Sequence, residues 1–126
     1  MDEKEILAME PGLELDIIVS EEIMENKIVY DECLGIMERT IHPIDGSSVF
    51  GMVLKYSEDM DMAELVINRM KEKGYEDAGF WPDFGGGVYT EAEAVCKAAL
   101  CALLKKQESD IADNIIRQAL EDETES

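Results

Sequence analysis

Residues 90–104 read Thr-Glu-Ala-Glu-Ala-Val-Cys-Lys-Ala-Ala-Leu-Cys-Ala-Leu-Leu, and this run constrains the fold more than any other. Thr90 and Glu93 stand at capping-box spacing, so the segment predicts a helix start followed by a strongly apolar helix through Leu104. Ala94, Val95, Ala98, Ala102 and the Cys96–Cys101 pair crowd it with small residues. A helix that apolar has to lie against a sheet or another helix, so the rest of the chain must supply its cover.

Two further helices have clear periodicity. Leu15, Ile18, Val19 and Ile23 recur at helical spacing, with Glu14, Asp16, Glu21 and Glu25 on the expected wet face. Met60, Ala63, Ile67 and Met70 mark another buried stripe, with Ser57 as the expected N-cap and Gly74 as the stop. A short acidic helix before Pro11-Gly12 opens the chain.

Between these helices, residues 27–30, 34–41 and 49–56 are rich in apolar and β-branched residues without a helical period, and predict strands. Asp45-Gly46 predicts a hairpin between the last two. Residues 75–89, with Phe80, Trp81, Phe84 and Gly85-Gly86-Gly87, predict one or two short strands and a flexible turn. Ile111, Ile115 and Ala119 extend a helical pattern that either continues the apolar helix or folds back on it. The mixed order predicts an α+β fold with a small, mainly antiparallel sheet and a C-terminal helix. At 126 residues the chain fits one domain, expected over residues 1–106, with residues 107–126 as an acidic helix and tail.

Thirty acidic residues against eleven basic leave a net charge of −19. Residues 1–26 hold nine acids against Lys4 alone, and residues 107–126 hold seven against Arg117 alone. A field of that sign repels phosphates, so direct nucleic-acid and membrane binding are not expected. No apolar run approaches the length of a bilayer span, no secretory leader pattern precedes the first helix, and three cysteines make no disulfide framework. A cytoplasmic protein is the expectation.

Three stretches together resemble a known family. They are Leu7-Ala8-Met9-Glu10-Pro11-Gly12-Leu13-Glu14-Leu15-Asp16 with residues 19–24, then Val53-Leu54-Lys55-Tyr56-Ser57-Glu58-Asp59 leading to Ala63, Val66, Arg69 and Met70, and finally residues 90–100. In this order and spacing they resemble the phage ABA sandwich domain over roughly residues 7–104. The resemblance implies a three-layer α/β/α sandwich, with the sheet between helical layers, and an origin in phage or prophage genes. It implies no activity and supplies no catalytic residues. Glu64 stands where that family often has tryptophan, residues 31–50 look long for it, and residues 107–126 have no counterpart in it.

Candidate chemistry is sparse. The lone histidine, His42, precedes a proline and reads as a turn residue rather than a base. Cys33, Cys96 and Cys101 lack zinc spacing. Glu58, Asp59, Asp61 and Glu64 suit a helix start better than a calcium loop. No nucleophile–base–orienter set assembles, so no enzyme, metal or cofactor is expected.

Two binding readings follow. In the first, a non-enzymatic phage accessory protein works in the host cytoplasm against host defence. It inhibits a host protein by filling that protein's basic groove with an acidic surface that includes Glu14, Glu21 and Glu25. In the alternative, a nucleotide-like immune signal is sequestered near the glycine turn. Trp81, Phe84 and Tyr89 would stack there beside Gly85, Gly86, Gly87 and Thr90, with Tyr56 and inward cations drawn from Arg39, Lys55 or Arg69 completing the pocket. The apolar stripe of the last helix favours a homodimer.

Overall fold

A computed structural model of the chain describes residues 2–41 and 44–124. His42 lies outside the described residues, as does Glu125 of the acidic tail. Eight elements follow in order: α1 (Glu3–Ala8), α2 (Leu13–Glu22), β1 (Lys27–Asp31), β2 (Gly35–Ile41), β3 (Ser48–Met52), α3 (Met60–Glu72), a 3-10 helix (Glu76–Asp83) and α4 (Glu91–Thr124). The fold is α+β, with one small antiparallel sheet and a long C-terminal helix.

Helix α4 is the axis of the molecule. Every residue from Ala92 to Cys101 is buried, and α1, α2, α3 and the 3-10 helix all pack on it. Ala94, Ala98 and Ala99 make that approach possible, because a methyl group lets neighbouring backbones come close on several sides at once. The helix runs through Gln107 without a break, so the last helical pattern continues its predecessor.

Around this axis α2 contributes Leu15, Val19 and Ile23, and α3 contributes Ala63, Val66 and Met70. Removing one such side chain, as in Leu15→Ala, costs about 2–5 kcal/mol. Helix α3 begins two residues later than its sequence suggests. Asp59 is the N-cap, accepting from the Asp61 amide at 2.9 Å, while Ser57 is drawn inward. The Ser57 hydroxyl lies 2.7 Å from an Asp16 oxygen and 2.9 Å from the Gly12 amide, which donates to it. Asp16 also accepts from the Ser57 amide at 2.8 Å, so it leaves the wet face of α2 for a buried position. That pair staples the start of α2 to the turn before α3.

The sheet order is β1-β2-β3, both pairs antiparallel, and the β2–β3 hairpin forms as expected. Val29, Met37 and Met52 stand side by side, as do Ile28, Glu38 and Gly51. Helix α2 packs on β1 and turns the Glu38 face inward, whereas Phe50 and Met52 on the opposite face are exposed. Strand β3 ends at Met52, four residues before Tyr56, which the chain places in the core.

Residues 75–89 depart from the strand expectation. A 3-10 helix spans Glu76–Asp83, with Pro82 inside it, and turns follow. The short helix buries Ala78 and Trp81 against α3 and α4, and that burial overrides the strand preference of its aromatics.

Candidate ligand cleft

Strand alternation puts Ile36, Glu38 and Thr40 on one face of β2. Glu38 is the unexpected member, a carboxylate 6% exposed in a layer that should be apolar. Its partners come from three other segments. Ser20 of α2 donates at 2.6 Å and the Tyr56 hydroxyl at 3.2 Å, both to Oε2, with the Asn26 amide nitrogen 3.4 Å from the same oxygen. Thr40 lies 3.2 Å from the Asn26 carbonyl oxygen, which fixes the amide with its nitrogen toward Ser20 and Glu38.

The two carboxylate oxygens are not equivalent. Among the described residues, Oε1 has only the Tyr56 hydroxyl within hydrogen-bond reach, at 3.5 Å. That hydroxyl has one hydrogen and sits closer to Oε2, so Oε1 keeps its acceptor capacity. Among the described residues no lysine or arginine pairs with Glu38. Burial, and after it the Glu38 charge, push the Tyr56 hydroxyl well above the usual phenol range, which keeps it a donor.

Above Glu38 opens a cleft of about 780 Å³ between the sheet, the end of α2 and α3. Ile41, Leu54 and Leu65 give it apolar walls, and Asn68 and Arg69 stand at its rim. Arg69 is held outward: its guanidinium lies 2.6 Å from Glu25 and 3.5 Å from Glu72. Lys73 joins Glu25 at 3.3 Å. Lys73 first, and then Arg69, hold the Glu25 carboxyl below its ordinary range. Glu25 takes these partners from a left-handed backbone, φ 58°, just past the end of α2.

The residues expected to form a site fall into separate places. Tyr56 and Arg69 meet at the cleft. Lys55 is exposed, and Arg39 is half-buried on the opposite face of β2 from Glu38, with its Nε lacking a hydrogen-bond partner among the described residues. Trp81 is core, its ring tilted against Tyr75 at 6.1 Å. Phe84 stacks on Tyr89 at 6.4 Å, and the Lys97 ammonium caps Tyr89 at 4.1 Å from the ring centre.

Gly85, Gly86 and Gly87 are exposed and all have positive φ. The Gly86 amide is already donated to Asp83, and Thr90 accepts from the Glu93 amide at the start of α4. None of the aromatics or glycines of that turn lines the cleft. Glu93 does not complete the capping box, because its carboxylate goes to Lys97.

Glu14 and Glu21 are exposed on α2 and make no ion pair among the described residues, whereas Glu25 is committed to Arg69 and Lys73. Sequence reasoning missed Glu38, Ser20, Asn26 and Asp16. The available signal was Glu38 itself, a lone acid on a strand face it shares with Ile36. Among the described residues there is no cluster of His, Cys, Asp or Glu able to hold a metal ion, and no helix is long and apolar enough to cross a membrane. Comparisons with protein-family models, curated proteins and solved structures give no match.

Proposed function

We propose that this chain is a non-enzymatic binding protein of phage or prophage origin. It acts in the host bacterial cytoplasm by engaging a basic surface of a host protein, in a counter-defence role. The carrying observation is the uncompensated acid on α2: Glu14 and Glu21 are exposed and unpaired among the described residues, on the helix that leads into the cleft. With a net charge of −19, such a face draws in a positive partner and repels anions. The resemblance of residues 7–104 to the phage ABA sandwich domain supports the origin. A binding rather than catalytic role is supported by the hydroxyls of Ser20 and Ser57, which pair with carboxylates and, among the described residues, have no imidazole or amine to activate them. Burial raises the thiols of Cys96 and Cys101, which makes them poor nucleophiles.

The competing reading, a nucleotide-like ligand, has one foothold in the cleft. Among the described residues Arg69 is the only cation lining it, and it already serves Glu25 and Glu72.

Native mass spectrometry of the protein from host lysate at low salt tests the choice. The expected result is a retained host protein that is lost on adding salt and lost with Glu14→Gln/Glu21→Gln. A retained small molecule of nucleotide mass, indifferent to those substitutions, would move the function to sequestration.

A further inference from the structure

We propose that the cleft above Glu38 is a seat for one alkylguanidinium group, an arginine side chain presented by a partner. The inference rests on the basic-partner reading only for the source of that arginine; the seat itself is argued from the cleft.

Its floor is a carboxylate more than nine-tenths buried, with no cation beside it among the described residues. Three donors converge on Oε2, at 2.6, 3.2 and 3.4 Å. Two lone pairs cannot serve three donors well, and among the described residues Oε1 is left with only a distant share of the Tyr56 hydroxyl. A buried anion in this state gains from a cationic hydrogen-bond donor more than from any neutral group.

The walls choose the kind of cation. Ile41, Leu54 and Leu65 border the approach, so an aliphatic stem is covered while its charged head reaches the floor. An ammonium is a compact, strongly hydrated charge that needs acceptors on several sides. A guanidinium is planar, less strongly hydrated and spreads its donors like a fork. The acceptors here suit the fork: Glu38, Thr40 and Asn68 all line the cleft, and Glu38 Oε1 is the carboxylate oxygen with acceptor capacity to spare. The resident Arg69 does not take the place, because Glu25 holds it at the rim at 2.6 Å.

The probe is capped arginine, N-acetyl-arginine methylamide, titrated into the purified full chain and followed by NMR. Capped lysine and capped citrulline serve as comparisons. The expected result is saturable shifts in the Asn26 side-chain amide and the Leu54 and Leu65 methyls with capped arginine. Capped lysine should bind at least tenfold more weakly, and citrulline, which keeps the shape and loses the charge, should not bind. Glu38→Gln should weaken capped arginine at least tenfold.

Because Glu38→Gln alters a buried network, Leu65→Trp is the second variant. Leu65 is 40% exposed on the cleft wall and lies outside that network, so the indole should block the seat and leave the melting temperature unchanged. Equal binding of arginine and citrulline, or arginine binding that survives Leu65→Trp, would overturn the seat. Equal or tighter binding of capped lysine would overturn the guanidinium assignment. The two proposals also fail separately. A host partner held through Glu14 and Glu21 but unaffected by Glu38→Gln removes the seat alone. Capped arginine bound in the cleft with no host partner recovered removes the function alone.

Discussion

Lys97 Nζ lies 2.6 Å from a Glu93 carboxylate oxygen, one turn earlier in α4, and both residues are buried. The same ammonium donates to the Leu7 carbonyl at 3.0 Å and sits over the Tyr89 ring. One cation thereby joins α1, α4 and the turn that precedes α4. Removing only its counter-charge leaves a buried ammonium with neutral partners. Glu93→Gln is expected to cost about 3–5 kcal/mol in urea denaturation, while Glu93→Leu with Lys97→Met recovers most of that loss. A single variant as mild as the double would show that water reaches the pair.

Asp16 gives stability a pH dependence of unusual sign for a carboxylate. Burial raises its pKa above the ordinary 3.8, and the two bonds from Ser57 offset only part of that rise. The native state therefore holds this proton at pH values where the unfolded chain has released it. The contribution is fully present below 3.8 and is lost as pH rises through the native pKa. Relative to Asp16→Asn, the wild type should lose stability on going upward through that window, as measured by denaturation at a series of pH values. A difference that stays flat would mean that Ser57 cancels the burial effect.

The glycine turn is a packing device. A Cβ on Gly85 would lie 2.7 Å from the Tyr89 ring, on a backbone at φ 85°. Gly86, at φ 64°, would meet nothing within 4 Å. Gly86→Ala thus carries only the left-handed backbone cost, about 1–2 kcal/mol. Gly85→Ala adds displacement of a ring held between Phe84 and Lys97, and should cost at least about 1 kcal/mol more. Thermal melts of the two variants decide it, and equal losses would mean that Tyr89 moves aside freely.

Helix α4 is protected over one half and bare over the other. Residues 105–119 are all exposed, and no basic residue offsets the dipole in the last turn. An isolated helix of this length is marginal in water. Hydrogen exchange should show amides after Lys106 opening by fraying, and those of Val95–Cys101 opening only with the whole fold, on the order of a thousandfold slower or more. Uniform protection along α4 would reveal a partner for its exposed isoleucines, such as a second copy of the chain.

Much of the fold was legible where burial follows period. The stripes Leu15, Val19, Ile23 and Ala63, Ile67, Met70 placed α2 and α3, and Asp45-Gly46 placed the hairpin. What escaped were the long-range polar pairings. Ser57 was available as a cap, yet Asp16, forty-one positions earlier, competes for it and wins. Nothing local announces that Ser20, Asn26, Glu38 and Tyr56 converge, since each is an ordinary residue in its own segment. Tyr56 and Arg69 were legible as an aromatic and a cation that a pocket could use, but one beside the glycine turn; the carboxylate they overlook comes from a strand that was read only for its apolar content.

The wholly buried stretch of α4 also makes the protein report on its own opening. Cys96 and Cys101 lie within it with their thiols pushed up by burial, while Cys33 is exposed in the turn between β1 and β2. An alkylating reagent then meets one fast thiol and two that react only when the core comes apart. With Cys33 replaced by serine, the labelling rate of the remaining pair becomes a clock for global unfolding, readable by intact mass in crude lysate and without a dye.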